Sequence, residues 1–129
     1  MSMLPIYYPR NVVNVTGNKT VANTDQGTVQ NMTADGFTFT LPASGATLVG
    51  QCYTFRNGGV NNGDVGFTVA PAAADAINGL GFTATVNKGA QDLKATARPG
   101  DEITVQCSGV VGVNAWNVVN AVGTWTRVP

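Results

Sequence analysis

Few residues in this chain are of a type that does chemistry, and their spacing does not gather them. No histidine occurs anywhere. That removes the commonest general base, the Ser–His and Cys–His nucleophile pairings and the commonest metal ligand. The two cysteines, Cys52 and Cys107, lack the spacing of a zinc site and are too few for a disulfide framework. The adjacent carboxylates Asp101-Glu102 follow Pro99-Gly100. Strand neighbours point to opposite faces, so this pair does not converge on one substrate, and a turn cap beside a solvated charge accounts for it. Gly79-Leu80-Gly81 leads into a strand-like run rather than a helix amino terminus, so it makes no phosphate cradle. Asn61, Gly63 and Asp64 offer oxygen ligands with a single carboxylate, thin for calcium, and read as a surface loop. The expectation is a chain without catalytic, cofactor-binding or metal-binding residues, that is, a non-enzyme. Trp116 and Trp125 remain. Tryptophans in strands are expected to be core pieces or subunit contacts, although exposed aromatics on a β-sandwich also hold sugars.

The elements that would position these residues announce themselves by alternation, the strand period. Phe37, Phe39 and Leu41 share one face, with Thr38 and Thr40 on the other. Val65, Phe67 and Val69 repeat the pattern, as do Phe82, Ala84 and Val86, and Ile103, Val105 and Cys107; Val13 and Val15 flank Asn14. Threonine suits the outer face, because its branched Cβ fits the pleat and its hydroxyl can pair across strands. Cys107 is expected to be a buried filler, and Cys52 to point the other way, leaving two free thiols. No stretch carries a helical stripe; Ala70–Ile77 offers one short turn at most. Turn residues punctuate the runs. Gly17-Asn18 is expected to join Val12–Thr16 to Lys19–Ala22, and Asp35-Gly36 to join Val29–Thr33 to Phe37–Leu41, each as a hairpin. Roughly eight to ten short antiparallel strands follow, as in a β-sandwich or barrel.

No composition shift divides the chain, so residues 11–129 read as one all-β domain. Residues 1–10 read as an extended arm, in which Leu4, Ile6, Tyr7 and Tyr8 lie between Pro5 and Pro9. Such an arm either covers an edge of its own sheet or reaches a neighbour. At 129 residues the chain can bury a real core without staples. Charged residues are only 11%, with seven basic and seven acidic, so the outer surface is expected to be neutral and polar. Zero net charge argues against nucleic-acid binding, which needs a basic face, and leaves little repulsion against self-association. The opening residues lack a signal-peptide pattern and no run reaches membrane-spanning length, so assembly in a cytoplasm is expected. The Asn14, Asn18 and Asn31 sequons are then chance products of an Asn/Thr-rich chain.

Two stretches, Leu41-Pro42-Ala43-Ser44-Gly45 and Gly50-Gln51-Cys52-Tyr53-Thr54-Phe55-Arg56-Asn57, resemble the small cement (head decoration) proteins of tailed bacteriophages. Ala74–Gly81, Asn87-Lys88, Leu93–Ala97, Gly100-Asp101, Trp116 and the closing Gly123-Thr124-Trp125-Thr126-Arg127 follow in the order of that family, so the resemblance covers roughly residues 20–127. Val86 departs from it, standing where an acidic residue is expected, and so do the two cysteines. The resemblance implies a jelly-roll-like β-sandwich that binds the outer surface of a capsid and stabilises it. It implies a homo-oligomer, a trimer by preference, on the major capsid protein of a virion. Contacts are expected from Leu4, Ile6, Tyr7 and Tyr8 and from Thr124, Trp125 and Arg127. The alternative is a glycan- or receptor-binding module of a tail fibre, using Trp116, Tyr53 and the Asn57–Asp64 loop as a sugar platform.

Overall fold

The computed structural model describes residues 10–129. The residues expected to form the arm, Arg10 excepted, lie outside them. Strand makes up 37% of the described residues and helix 5%, which fixes the class as all-β. The eleven strands are β1 (Val12–Val15), β2 (Lys19–Thr20), β3 (Val29–Met32), β4 (Phe37–Thr40), β5 (Cys52–Asn57), β6 (Phe67–Ala70), β7 (Ile77–Asn78), β8 (Ala90–Asp92), β9 (Glu102–Cys107), β10 (Trp116–Val122) and β11 (Thr126–Arg127). Three of them, β2, β7 and β11, have two residues each, and β2 is shorter than the expected run Lys19–Ala22. All three lie at sheet edges, where brevity guards against unwanted pairing.

Two sheets form, in the orders β1-β3-β5-β9-β10-β7 and β11-β8-β6-β4-β2. The expected antiparallel arrangement is corrected: β1, β3 and β5 run parallel in the first sheet, and β2, β4 and β6 run parallel in the second. The chain therefore winds between the sheets, one strand in each per coil, for three coils. Only then does it add strands antiparallel to their neighbours, β9 and β10 on one sheet and β8 and β11 on the other. β7 pairs parallel with β10.

The two expected hairpins fail for one physical reason. Their turn residues bond sideways to the next coil instead of closing on themselves. The Asn18 Oδ1 accepts from the Thr38 N–H at 2.9 Å. The Gly36 N–H donates to Gly66 O at 2.9 Å, while the Gly66 N–H donates to Asp35 Oδ1 at 2.9 Å. Gly36 sits at φ 85°, a conformation glycine adopts without cost. So the turn chemistry is real, but it turns a corner into the opposite sheet. The expected strand through Phe82, Ala84 and Val86 is likewise corrected. Alternation chooses a face, yet a strand also needs a neighbouring backbone. Here the N–H groups of Phe82 and Lys88 instead close tight turns onto Gly79 O and Thr85 O, each at 3.0 Å. Phe82 still packs on the core, and Val86 is exposed.

Between the sheets the alternating side chains interlock. Phe39 of the second sheet lies 4.8 Å from Phe55 of the first, and meets Phe67 edge-on at 5.7 Å. Tyr53 and Trp116 pack edge-on at 5.7 Å, and Phe67 and Trp125 at 5.5 Å. Edge-to-face pairs of this kind add about 0.5–1.5 kcal/mol each beyond the area they bury. As expected, Cys107 is buried and Cys52 lies half-buried on the other parity; both are free. In register across the parallel coils, Asn31 donates to Asn14 Oδ1 at 3.1 Å and Arg56 Nε donates to Asn31 Oδ1 at 3.2 Å.

Candidate functional site

Antiparallel β5 and β9 define two ends of the domain. At the end where β5 begins and β9 stops lie the loops 42–51, 71–76 and 108–115. They carry a group of outward apolar side chains: Val49 is 63% exposed, Val110 57%, Val111 61% and Val113 48%. Single exposed apolar residues are ordinary; here four stand on two adjoining loops. The two loops touch directly. The Cα of Gly109, at φ 83°, lies so close to Val49 that a Cβ there would stand 3.0 Å from the valine Cβ.

A buried carboxylate holds these loops together. Asp75, 1% exposed, accepts the Ser44 N–H on Oδ2 at 2.8 Å and the Gly112 N–H on Oδ1 at 3.1 Å. The Ser44 hydroxyl donates to Val110 O at 2.8 Å and lies 3.2 Å from Cys107 Sγ. The Asp75 carbonyl accepts the Asn87 N–H at 2.8 Å, and the Ala76 N–H donates to Gly112 O at 2.9 Å. Ser108 braces its own loop by donating to Asn114 O at 2.6 Å and accepting the Val110 N–H at 3.2 Å. A carboxylate taking two backbone N–H groups makes charge-assisted bonds, stronger than neutral ones. The valines are thus carried on loops fixed from beneath by the side chains of Asp75, Ser44 and Ser108. Both Asp75 oxygens are occupied by backbone N–H groups and the Ser44 hydroxyl is turned to Val110 O, so the group braces the loops.

The residues expected at a contact surface separate. Leu4, Ile6, Tyr7 and Tyr8 lie outside the described residues. Thr124 and Arg127 are exposed. Trp125 is buried: it is 8% exposed, rests on Phe67, and donates from Nε1 to Val122 O at 2.9 Å. The sugar platform is corrected, since Trp116 and Tyr53 are wholly buried against each other and present no ring to solvent. Burial also pushes the Tyr53 hydroxyl pKa up. Asn61 and Asp64 close their loop on themselves, the Asn61 N–H donating to Asp64 Oδ2 at 2.9 Å. Among the described residues no group of three or more His, Cys, Asp or Glu is placed to hold a metal, and no helix is long and apolar enough to cross a membrane.

Sequence reasoning passed over Asp75 and the valine loops. Asp75 sits in an alanine run without alternation, Val110-Val111 lie between Gly109 and Gly112, and Val113 follows Gly112, where alternation gives no face. The one available signal was compositional, three valines in a segment otherwise written in turn residues. No known protein-family pattern matches the chain, and no curated protein matches it.

Proposed function

We propose that this protein is a non-catalytic adhesive module, a cement protein that binds the outer surface of a phage capsid and stabilises it. The observation that carries the reading is the group of Val49, Val110, Val111 and Val113, held outward on loops pinned by buried Asp75. A rigid apolar end loses little conformational entropy on docking, so more of its burial appears as affinity. The near-absence of charge around it avoids mismatch against a protein shell. The resemblance of residues 20–127 to decoration proteins supplies the partner, the major capsid protein, and the trimeric state. A trimer engaging several shell subunits at once gains avidity without any new contact. The arm through Leu4, Ile6, Tyr7 and Tyr8, and the exposed Thr124 and Arg127, extend the contact.

The test is cosedimentation with empty mature shells of the parent virion. The variants are Val111→Asp, the double change Val49→Asp with Val111→Asp, and a deletion of residues 1–9. Burying a new carboxylate costs far more than the valine contributed, so binding should fall at least about tenfold in the double variant. Undiminished binding by the double variant and the truncated chain alike would remove the proposal. So would a copy number of only a few per virion.

A further inference from the structure

At the other end of the domain, where β5 stops and β9 begins, two carboxyl groups are buried around Asn57. Asp92, the last residue of β8, is 1% exposed, and Asp101, just before β9, is 4% exposed. Asp92 Oδ2 accepts from Asn57 Nδ2 at 2.9 Å, and the same amide group donates to Val65 O at 2.7 Å. Asp101 Oδ2 accepts the Arg98 N–H at 2.9 Å. Asp92 Oδ1 is fully buried and has no donor, and Asn57 joins the two residues, with its side-chain amide on Asp92 Oδ2 and its backbone N–H on Asp101 O at 2.7 Å. Two carboxylates cannot donate to each other, and a buried oxygen without a partner is costly.

Among the described residues no cationic side chain relieves them. The Lys94 ammonium is committed to Asp35 Oδ2 at 2.7 Å at the surface, and Arg98 offers Asp101 only its backbone N–H. Glu102 turns to the opposite face, where Arg10 lies 3.4 Å away, and Arg56 bonds Asn31. Asp64 is exposed and bonded to Asn61. Above the pair sits Gly123, at φ 96°, placed so that any Cβ would collide with Asp101 Oδ1. Next to it Trp125 packs on Phe67. A cavity of about 540 Å³, lined in part by Asn62, Arg98, Asp101 and Thr124, brings water to the edge of the pair.

We propose that Asp92 and Asp101 share one proton and form an acid-held latch, which fastens the Gly123 turn to the ends of β5 and β8 and loosens when that proton leaves. With the proton present, one carboxyl donates O–H to the other and the orphaned oxygen is satisfied. Without it, two like charges stand in a dry site and drive this end apart. Burial first, and then the Asp101 carboxyl, raise the Asp92 pKa to about 7, against an opposing bond from Asn57. The latch is independent of the adhesive reading, being at the far end of the domain.

A raised folded-state pKa means that the folded chain holds a proton the unfolded chain has released. The stabilisation is therefore complete below the unfolded value of 3.8 and is lost as pH rises to about 7. In urea unfolding, the wild-type folding constant should fall by up to about tenfold per pH unit from about pH 5 to about pH 7, then level off. Asp92→Asn is isosteric, donates permanently to Asp101 and should remove that fall. Carbon-13 NMR of the wild-type side chains should show one aspartate titrating near neutral pH, a readout that does not need the variant to fold. Parallel pH profiles for wild type and Asp92→Asn, or aspartates that all titrate in the acidic range, would overturn the latch. Recovery of wild-type stability at about pH 8 by millimolar calcium chloride would overturn it in favour of a bound cation.

Discussion

Replacing Asp75 by asparagine is the sharpest probe of the valine-bearing end. The wild-type carboxylate receives two backbone N–H groups, from Ser44 at 2.8 Å and Gly112 at 3.1 Å. Asparagine keeps the shape but has only one acceptor oxygen, so its NH2 must face a second N–H donor. One charge-assisted bond is lost, the other becomes neutral, and one buried donor is stranded. Bonds to charged groups are worth about 1.5–3 kcal/mol each, and a stranded buried donor costs about 1–3 kcal/mol. Gly112 is only half-buried and water can reach part of its N–H, which discounts the second figure. The expected loss is about 2–4 kcal/mol, a large share of the roughly 5–15 kcal/mol that holds such a domain folded. That corresponds to a fall in Tm of roughly 10 °C for a chain of this size.

The assay is paired thermal and urea unfolding followed by tryptophan fluorescence, read beside shell binding. Val111→Asp serves as the control, since an exposed substitution should move stability by no more than about 0.5 kcal/mol. Asp75→Asn should lower both stability and binding, whereas Val111→Asp should lower binding alone. If Asp75→Asn unfolds within about 0.5 kcal/mol of wild type, the carboxylate is not what fixes these loops.

Two further outcomes test the fold itself. A Cβ at Gly89 would collide with Val69 O and stand 2.9 Å from Ala70 Cα, both backbone atoms of the neighbouring strand. Gly89→Ala should therefore cost about 2–4 kcal/mol, read as a lower urea midpoint, and a cost below about 1 kcal/mol would contradict the close approach of β8 to β6. Thiol labelling of the native protein should modify half-buried Cys52 readily and buried Cys107 only after unfolding. Equal rates at the two positions would contradict the assigned faces.

What the sequence made legible was the direction of side chains, not the path of the backbone. Phe39 and Leu41, Phe67 and Val69, and Ile103, Val105 and Cys107 all face inward as their alternation requires. That pattern is identical in parallel and antiparallel ladders, so it could not reveal that β1, β3 and β5 run the same way. Turn residues were equally ambiguous, because Asp35-Gly36 serves a hairpin and a corner with the same chemistry. A repeat was there to be read: Val12-Val13-Asn14-Val15 and Val29-Gln30-Asn31-Met32 share their first and third residues and lie side by side in register. The acidic pair at the far end was half visible. Asp101 and Glu102 do point to opposite faces, but Asp101 is buried rather than a mere turn cap beside solvated charge. Asp92 shares parity with buried Ala90, which was the signal that it faces inward. What no local pattern could show is that the winding brings residues from β8 and β9 into contact.

The two ends of the domain differ in how their buried carboxyl groups are satisfied, and that difference predicts where the molecule is stiff. At the valine-bearing end every oxygen of Asp75 has a backbone donor, so the loops gain rigidity from a side chain that asks nothing of solvent. At the far end Asp92 and Asp101 both bond to Asn57, and one Asp92 oxygen remains without a donor. A fully satisfied polar group rigidifies its surroundings, while a partly satisfied one is where local opening begins. The docking role proposed for the valine-bearing end requires the first kind of support, because a valine that moves on docking loses in entropy what it gains in burial. Hydrogen exchange separates the two without any substitution. The Ser44 and Gly112 amides should be protected across the neutral range, while the amides of 122–125 should lose protection as pH rises, beyond the intrinsic rate increase. Equal pH dependence at both ends would mean that the carboxyl groups do not set local stability in this fold.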